Sequence, residues 1–261
     1  MEKEDLSVYN PEGSLLRNAQ MRMVHILREV DVVCRRHNID YFIVDGTLLG
    51  AVRHGGFIPW DDDLDIAVMA KDYKKLRRFL IEELPDDLAF QDVSTEPNMP
   101  LLFAKVRDRY SFFEEDFTSK IVEKGIYIDI FPKEYILSLK WKKKLDYIYG
   151  HCFRSFHNYY NMKEKVKSCL VFPFAWLLVW STRFVTRLAS STTIANLYGQ
   201  WSYKELAYND VYPTKDIVFE GVVTRGPADP DAVLRKTFGN YMQVPPKDRR
   251  PQHAGKIEIY R

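Results

Sequence analysis

The sequence predicts an α+β fold with a mixed β-sheet core, flanking helices and a mainly helical C-terminal part. Short apolar runs alternate with segments of helical periodicity up to about residue 135. Residues 138–208 are rich in Trp, Tyr, Leu and Lys and contain few Gly or Pro, which is typical of helices. The chain has 261 residues, 46% of them hydrophobic, so it can bury a large core. We therefore divide it into a core over 1–135 and a mainly helical region over 136–261.

Charge and cysteine content exclude several classes of protein. Thirty-eight Lys and Arg residues against 36 Asp and Glu give a net charge of +2, which excludes nucleic-acid binding by bulk charge. The three cysteines are far apart and have no CxxC spacing, which is typical of a reducing compartment. The N-terminus is too polar for a secretory signal, and no run reaches the roughly 20 apolar residues of a membrane span. These features predict a cytoplasmic protein.

Periodicity and turn residues define the individual elements. Apolar residues recur every three or four positions after Ser14, so Ser14 caps the first helix and Asn38 ends it. Pro85 ends a later helix that Asp72 is predicted to cap. In chain order, we predict a helix to His37, a strand over Tyr41–Val44, a helix over Leu48–Arg53, a strand over Leu64–Met69, a helix over Asp72–Leu84, strands over Leu101–Val106 and Ile126–Ile130, and a short helix near 230–237.

The segment from 45 to 66 contains four carboxylates within five residues: Asp61, Asp62, Asp63 and Asp65. If the strand begins at Asp63, its two-residue period places Asp63 and Asp65 on one face. Two neighbouring carboxylates repel each other unless a cation lies between them. Mg²⁺ is bound in proteins by one or two carboxylates together with substrate phosphates. The pair is therefore a candidate metal site.

Two further features belong with this pair. Asp129 lies within an apolar strand run, where a lone charge is costly unless it is paired or bound to a metal. Its simplest position is next to Asp63 and Asp65 on a neighbouring strand. Gly46 and Thr47 lie where a strand turns into a helix, whose free N–H groups and dipole favour phosphate. An acidic run alone is more often a solvated edge or a helix cap, but the combination is the constellation of the nucleotidyltransferase superfamily.

The same residues resemble a known family. Residues 46–66, GTLLGAVRHGGFIPWDDDLDI, are similar to the signature of the LicD-type phosphocholine transferases, bacterial relatives of fukutin and fukutin-related protein. The resemblance also covers residues 34–41, 105–108, 125–132 and a closing motif over 238–246, followed by Arg250 and His253. Phe238 departs from the pattern, because the family more often has Tyr there. Residues 138–210 match only sparsely.

The resemblance implies a nucleotidyltransferase-like catalytic core and a defined reaction. Such enzymes move a phospho-alcohol, typically phosphocholine from CDP-choline, to a hydroxyl of a cell-surface glycan such as lipopolysaccharide, capsule or teichoic acid. Other members use another CDP-alcohol, and the signature does not separate these donors. The implied partners are a CDP-alcohol donor and a glycan or lipid-linked glycan acceptor, and no nucleic acid.

Residue roles follow from the pattern and the resemblance together. Asp63, Asp65 and Asp129 are the predicted catalytic residues and ligands of Mg²⁺ or Mn²⁺, with Asp129 also helping to deprotonate the acceptor. The predicted donor-binding residues are Gly46, Thr47, Arg53, Lys105 and Arg107. The last two are two apart on a strand and share a face, which is equally typical of a solvated edge. His54, Asp61, Asp62 and His253 are left between structural and site roles, and Trp60 is a candidate for an aromatic box around choline.

Two other functions are compatible with the same residues. A nucleotidyltransferase that adds NMP to a small molecule or protein would use the same aspartates and release pyrophosphate. An inactive nucleotide-binding scaffold would need none of them, and the presence of all three argues against it.

A second feature lies outside the signature. Residues 169–180 carry no charge, with Lys163, Lys165 and Lys167 before them and Arg183 and Arg187 after them. The segment is predicted either to be a core helix or to lie on the inner face of the membrane without crossing it.

Overall fold

The chain folds around a seven-stranded mixed β-sheet. In this computed structural model the described residues are 5–115, 118–157, 161–201, 204–250 and 255–260. The helices are α1 (Leu15–Arg36), α2 (Asp45–His54), α3 (Ala70–Glu83), α4 (Leu139–Phe156), α5 (Met162–Leu188), α6 (Tyr208–Val211) and α7 (Pro230–Phe238). The strands are β1 (Tyr41–Ile43), β2 (Asp65–Met69), β3 (Leu88–Gln91), β4 (Ala104–Asp108), β5 (Ser111–Phe113), β6 (Tyr127–Tyr135), β7 (Thr193–Asn196), β8 (Leu206–Ala207), β9 (Lys215–Phe219), β10 (Val222–Gly226) and β11 (Ile257–Ile259).

The central sheet has the strand order β1-β2-β6-β4-β3, and β7 extends it by pairing with β6 and β8. Only β2 and β6 run parallel in this sheet; its other described pairs are antiparallel. The hairpin of β9 and β10 and the pair of β5 and β11 form two small separate sheets. This arrangement is the predicted α+β fold with a mixed sheet core, and β6 is its central strand.

The first helix forms as its sequence predicts. The Ser14 hydroxyl accepts a hydrogen bond from the Arg17 N–H at 3.2 Å, which satisfies one free donor of the first turn. One face of α1 is buried in the main core, and each such aliphatic side chain contributes about 1.5–3 kcal/mol. The helix ends before Asn38, whose φ of 50° is in the left-handed region.

Several predicted boundaries need correction. α2 begins at Asp45, three residues before the predicted start, and β2 begins at Asp65, two residues after Asp63. Asp72 lies in the first turn of α3, but its side chain does not cap the helix, whose N-cap is Met69. Strand β3 was not predicted because its four residues, Leu-Ala-Phe-Gln, are too few to show a period.

The region after residue 136 is only partly helical. Helices α4 and α5 confirm the prediction over most of 138–188, but the part that follows forms β7 and β8. Pairing with the C-terminal part of β6, beyond the part that pairs with β4, outweighs the weak helical pattern there. Helix α5 is long and apolar enough to cross a membrane by length and composition alone, although its uncharged run, 168–182, stays shorter than the expected limit of roughly 20 residues. It is also mostly exposed, so the alternative of a buried core helix is wrong.

Gly50 is expected to be essential for packing α2 against the loop that follows it. A Cβ atom at this position would collide with the backbone carbonyl of Gly56, which cannot move without shifting the loop. We expect Gly50→Ala to lower the free energy of unfolding by about 1–3 kcal/mol in a thermal or urea melt, as overpacking does.

Val52→Ala is the matched control, because this side chain on the same helix is 38% exposed. It should change stability by less than about 0.5 kcal/mol. Equal stability of Gly50→Ala and the wild type would contradict this close packing.

Candidate active site

A cleft of about 630 Å³ opens where the start of α2 meets the acidic loop before β2 and the segment after α7. This volume is in the range of small-ligand sites. Its acidic side chains are Asp45, Asp61, Asp63 and Asp65. Its basic and aromatic side chains are Arg53, Lys204, Arg249, Trp60, Phe238 and Tyr241. The cleft therefore combines a carboxylate cluster with cations and rings from both halves of the chain.

The N-terminus of α2 fixes the acidic residues. Gly46 lines the cleft, and a Cβ atom there would lie 2.8 Å from Oδ2 of Asp61, so the missing side chain allows this carboxylate to approach the helix. The Thr47 hydroxyl is buried and accepts a hydrogen bond from the Asp65 N–H at 2.8 Å. Thr47 therefore holds the strand that carries Asp65, and it is not among the residues that line the cleft.

The sheet register brings three predicted residues into one row. Asp65 on β2 is opposite Asp129 on the parallel strand β6, and Asp129 is opposite Lys105 on β4. Register partners point to the same face of a sheet. The Lys105 Nζ donates a hydrogen bond to Oδ1 of Asp129 at 2.6 Å. The predicted position of Asp129 next to Asp65 is thus confirmed.

The carboxylates raise each other's pKa. Burial, together with repulsion by Asp63, Asp129, Asp45 and Asp61, raises the pKa of Asp65 well above its usual value. The pKa of Asp129 is raised to about 6 by burial, although Lys105 opposes the shift. An unpaired charge is destabilised in such a site, and an added cation relieves the repulsion.

The acidic loop before β2 contributes a second pair of interacting carboxyl groups, those of Asp61 and Asp63. The pKa of Asp61 is raised to about 8 by burial and by the charges of Asp63 and Asp62, and its carboxyl group is hydrogen-bonded to that of Asp63. Two carboxyl groups that are hydrogen-bonded to each other share a proton unless a metal ion replaces it. Asp62 is buried and is not among the residues that line the cleft.

The donor set fits a hard cation that also takes ligands from a substrate. In the described part of the chain, no three His, Cys, Asp or Glu side chains are arranged to hold a metal ion by themselves. Asp129 is engaged by Lys105 and is not among the residues that line the cleft, whereas Asp63 and Asp65 both line it. Mg²⁺ needs only one or two carboxylates when phosphate oxygens complete its shell. A Mg²⁺ site shared with a phosphorylated substrate is therefore compatible with these residues.

Lys105 and Arg107 form a buried network beneath the cleft. Both contact Glu115, and the Arg107 guanidinium also donates to the Gly125 carbonyl oxygen at 2.8 Å. Burial favours a raised pKa for Glu115, but the two cations outweigh it and lower the pKa. The shared face of Lys105 and Arg107 is confirmed, since both cations lie over the Tyr127 ring. Lys105 and Arg107 are both buried, and neither is among the residues that line the cleft.

Arg53 lines the cleft, but its guanidinium is hydrogen-bonded to other groups of the protein. Its guanidinium donates to the Tyr241 carbonyl oxygen at 2.7 Å and, from Nε, to Nε2 of His54 at 2.9 Å. The pKa of His54 is lowered to about 4 by burial and by Arg53, so this imidazole is neutral at pH 7 and accepts the bond. These contacts give His54 a structural role and make Arg53 the link between α2 and the segment after α7.

The closing motif supplies site residues for which the sequence indicated no role. Phe238, Tyr241 and Arg249 all line the cleft, and the segment reaches it through the bonds to Arg53. Lys204 also lines it, pairs with Asp45 at 2.8 Å and lies 4.3 Å from the centre of the Phe238 ring. The family resemblance of residues 238–246 was the signal that could have placed this motif at the site. No such signal pointed to Lys204, which lies in the sparsely matching region.

Trp60 is mostly buried, although it lines the cleft. Its ring packs against Tyr9, with centroids 5.4 Å apart, and the Arg250 guanidinium lies 4.6 Å from it. Arg250 also donates to the Tyr9 hydroxyl at 2.6 Å. Trp60 and Arg250 therefore support one wall of the cleft. His253 lies outside the described residues.

Fold and site together define a protein with a nucleotidyltransferase-like mixed sheet and an acidic cleft at the start of α2. The family model described as "LicD/FKTN/FKRP, nucleotidyltransferase domain" matches residues 38–174, which is just over half of the chain. The chain belongs to this family. The match covers α2, β2, β4, β6 and the loop that contains Asp63, and therefore every predicted catalytic and donor-binding residue.

Individual relatives match over shorter segments. The chain is 39% identical over 84 residues to the lipopolysaccharide cholinephosphotransferase LicD of Haemophilus influenzae, covering 32% of this chain and 28% of that protein. It is 43% identical over 60 residues to an uncharacterized protein of Rickettsia prowazekii, covering 23% of each chain. An uncharacterized protein of Rickettsia typhi is 46% identical over 52 residues, 20% of this chain and 17% of its own. The matched segments thus span less than a third of each relative.

The repulsion in the cleft predicts a gain in stability when a charge is removed without metal. A raised carboxyl pKa means that the ionised form is destabilised in the folded state, so the penalty is present at pH 8 and is lost as the pH falls. In EDTA at pH 8, Asp65→Asn should raise the melting temperature by a few degrees, as expected for about 1 kcal/mol.

Asp86→Asn is the matched control, since this exposed aspartate is remote from the cleft. It should leave the melting temperature unchanged. A lower melting temperature for Asp65→Asn in EDTA would show that the carboxylate stabilises the metal-free fold and would contradict the repulsion.

Proposed function

We propose that this protein transfers a phospho-alcohol from a CDP-alcohol to a hydroxyl group of a cell-surface glycan. Phosphocholine from CDP-choline is the first candidate donor, because the relative with a named activity is a lipopolysaccharide cholinephosphotransferase. In this reaction an acceptor oxygen attacks the phosphorus that carries the alcohol, the bond from that phosphorus to CMP breaks, and CMP leaves. The acceptor proton passes to a base of the protein.

The observation that carries the proposal is the position of Asp65 beside Asp129, with Asp63 in the adjoining cleft. Asp65 and Asp129 have raised pKa values, and Asp63 and Asp65 line a space large enough for a nucleotide substrate. A diphosphate cannot enter a cluster of carboxylates without a bridging cation, because both carry negative charge. The site therefore favours a metal–diphosphate substrate over a neutral one.

Asp63 and Asp65 are the residues that would hold Mg²⁺ or Mn²⁺ in the cleft. When bound, the ion neutralises diphosphate charge and stabilises the charge that develops as CMP leaves. Lys204 lies in the same cleft and can contribute a further positive charge. The N-terminus of α2 at Gly46 presents backbone N–H groups of the kind that bind phosphate.

Asp129 has the properties of the base. Its pKa of about 6 is close to neutral pH, where a general base accepts a proton efficiently and is still ionised. The Lys105 ammonium holds one carboxylate oxygen at 2.6 Å and fixes the orientation of the group. The Lys105 ammonium also pairs with the Glu115 carboxylate at 3.0 Å. Asp129 is therefore part of a buried network of ion pairs.

The rings of the cleft are suited to a quaternary ammonium. Phe238 is 39% exposed, and the Lys204 ammonium, which is paired with Asp45, lies 4.3 Å from the ring centre, within the range of a cation–π contact. Tyr241 and Trp60 line the same space. These rings can bind the quaternary ammonium of choline by cation–π attraction, whereas the ribitol of CDP-ribitol is uncharged and cannot form this interaction.

An NMP transferase is the alternative from the same fold. It would use the same aspartates, attack the α-phosphate and release pyrophosphate. The segment over 238–249 favours phospho-alcohol transfer, because its exposed ring contributes a cation-binding surface that NMP transfer does not need.

Turnover is expected to require a divalent cation and both cleft aspartates. With CDP-choline, Mg²⁺ and cell-surface glycan, mass spectrometry should detect phosphocholine on the glycan and CMP in solution. EDTA should abolish the reaction and Mg²⁺ or Mn²⁺ should restore it. Asp63→Asn and Asp65→Asn should reduce turnover by about 10²-fold or more without lowering the melting temperature measured in EDTA.

The control is Asp86→Asn, which should keep the wild-type rate. A panel of other CDP-alcohols tests the identity of the donor independently of the reaction type, because transfer from another CDP-alcohol would still release CMP. Pyrophosphate as the product would establish NMP transfer instead, and a near wild-type rate of Asp65→Asn would refute the metal assignment. Complementation of a deletion strain by the Asp63→Asn, Asp65→Asn double variant would indicate a scaffold.

Asp129→Asn tests the base. We expect kcat to fall by about 10²-fold or more, with little change in KM for the donor, because the amide cannot accept the proton. Steady-state kinetics over a range of glycan concentrations measures both constants. A change confined to the KM for the glycan would place Asp129 outside the chemical step.

A further inference from the structure

The α4–α5 hairpin is an insertion between two strands of the central sheet. Helix α4 begins shortly after β6 ends, and the chain returns after α5 to β7, which pairs with β6. The two helices pack against each other. Both ends of the hairpin are therefore anchored to the strand that carries Asp129.

Helix α5 buries only a narrow seam. Its buried positions are Ser168, Ala175, Val179, Thr182 and Thr186, which are mostly small. Large apolar side chains occupy the rest of the surface. We define the apolar face of α5 as Leu170, Phe174, Trp176, Leu177, Trp180 and Phe184, which are between 50% and 72% exposed. Contiguous exposed apolar surface of this kind marks an interaction site.

Charges at the two ends of α5 limit what can cover this face. Lys163, Lys165 and Lys167 precede the apolar face and Arg187 follows it, whereas Glu164 is the one acidic residue of the helix. The region between the ends is uncharged from 168 to 182. A second copy of the chain, whichever way it was aligned, would bring basic ends together. Anionic lipid headgroups complement them.

Length alone would allow α5 to cross a bilayer, but its contacts do not. The Arg183 guanidinium binds the Glu134 carboxylate of β6 with two hydrogen bonds of 2.6 and 3.0 Å. The indole N–H of Trp141 on α4 donates to the Thr182 hydroxyl at 3.0 Å. To span the membrane, α5 would have to break these contacts or enter the bilayer together with α4. Helix α4 contains the buried Lys142–Asp146 ion pair, which would be costly to place in the hydrocarbon layer.

The uncharged stretch is also short. The fifteen residues from 168 to 182 are about 22 Å long as a helix, less than the roughly 30 Å of the hydrocarbon layer. Tryptophans are favoured at the level of the headgroups, and Trp176 and Trp180 are both exposed on the apolar face. These properties are those of a helix that lies in the interface plane.

We propose that the apolar face of α5 docks the protein on an anionic membrane surface, with α5 lying flat and α4 on the side away from the lipid. Docking inserts the exposed rings among the headgroups, and the lysines and Arg187 contact lipid phosphates. The sheet that carries the cleft is then held next to the membrane. The proposal concerns binding alone and does not depend on the reaction that the cleft performs.

Vesicle co-sedimentation tests the docking with the full chain. The protein should pellet with vesicles of phosphatidylcholine and phosphatidylglycerol and stay largely in solution with phosphatidylcholine alone. Trp176→Ala combined with Trp180→Ala should weaken binding at least about tenfold, because two large apolar groups no longer enter the interface. Replacing Lys163, Lys165 and Lys167 with Gln, or adding salt, should weaken binding to the anionic vesicles.

Trp201→Ala is the matched control, since Trp201 is 54% exposed but lies outside α5. It should bind like the wild type, and all variants should keep the wild-type melting temperature. Quenching of tryptophan fluorescence by brominated lipid gives a second readout that needs no variant. Absence of binding to anionic vesicles, or unchanged binding of the double Trp variant, would overturn the proposal.

Two other outcomes identify a different role for the face. A dimer in sedimentation equilibrium without lipid, lost in the double Trp variant, would show that a second copy covers it. Protein that stays in the vesicles after washes with high salt and alkaline carbonate would show a spanning helix. Either result would contradict docking in the interface plane.

Discussion

Repulsion among the aspartates at the cleft is the constraint on which the rest of the site depends. The register of β2 and β6 places Asp65 beside Asp129, and the acidic loop adds Asp61 and Asp63. The fold neutralises only part of this charge: Lys105 is bonded to Asp129, while the pKa of Asp61 is raised to about 8. The remaining negative charge is exposed to the cleft, where a cation and a phosphorylated substrate can meet it. A stable protein without such a ligand would gain nothing from this arrangement.

The surrounding structure holds the charges in place. Thr47 bonds to the backbone of Asp65, and Gly46 makes room for Asp61. Arg53 joins α2 to the segment after α7 through backbone carbonyl groups. Gly46, Thr47 and Arg53 were predicted to contact the donor. In the structure Thr47 does not line the cleft, and both Thr47 and Arg53 are hydrogen-bonded to other parts of the polypeptide. Positioning by such neighbours is what fixes a cluster of like charges.

Much of this could be predicted from the sequence because the signals are local. The cap at Ser14 and the strand run to Met69 depend on nearby residues, and the acidic spacing of Asp63 and Asp65 is visible directly. The costly position of Asp129 in an apolar run correctly indicated a neighbouring strand with acids.

The remainder depends on tertiary contacts. The burial of Arg107 results from Glu115 and Gly125, which approach it only in the folded chain. Strand β7 forms on the part of β6 that extends past β4, and Lys204 contacts Asp45 across a separation of 159 residues. No periodicity encodes such contacts. The exposure of α5 was equally hidden, because an apolar helix has the same sequence pattern in a core and on a membrane.

The central claim is that the carboxylates bind a divalent cation together with a CDP-alcohol. Electron paramagnetic resonance of Mn²⁺ measures this binding directly, because bound and free ions differ in signal. The account predicts that CDP-choline tightens Mn²⁺ binding and that Mn²⁺ tightens CDP-choline binding by the same factor, since the two share one site. CMP should have a smaller effect because it lacks the diphosphate. Mn²⁺ binding that is equally tight with and without CDP-choline, or absent in both cases, would contradict the account.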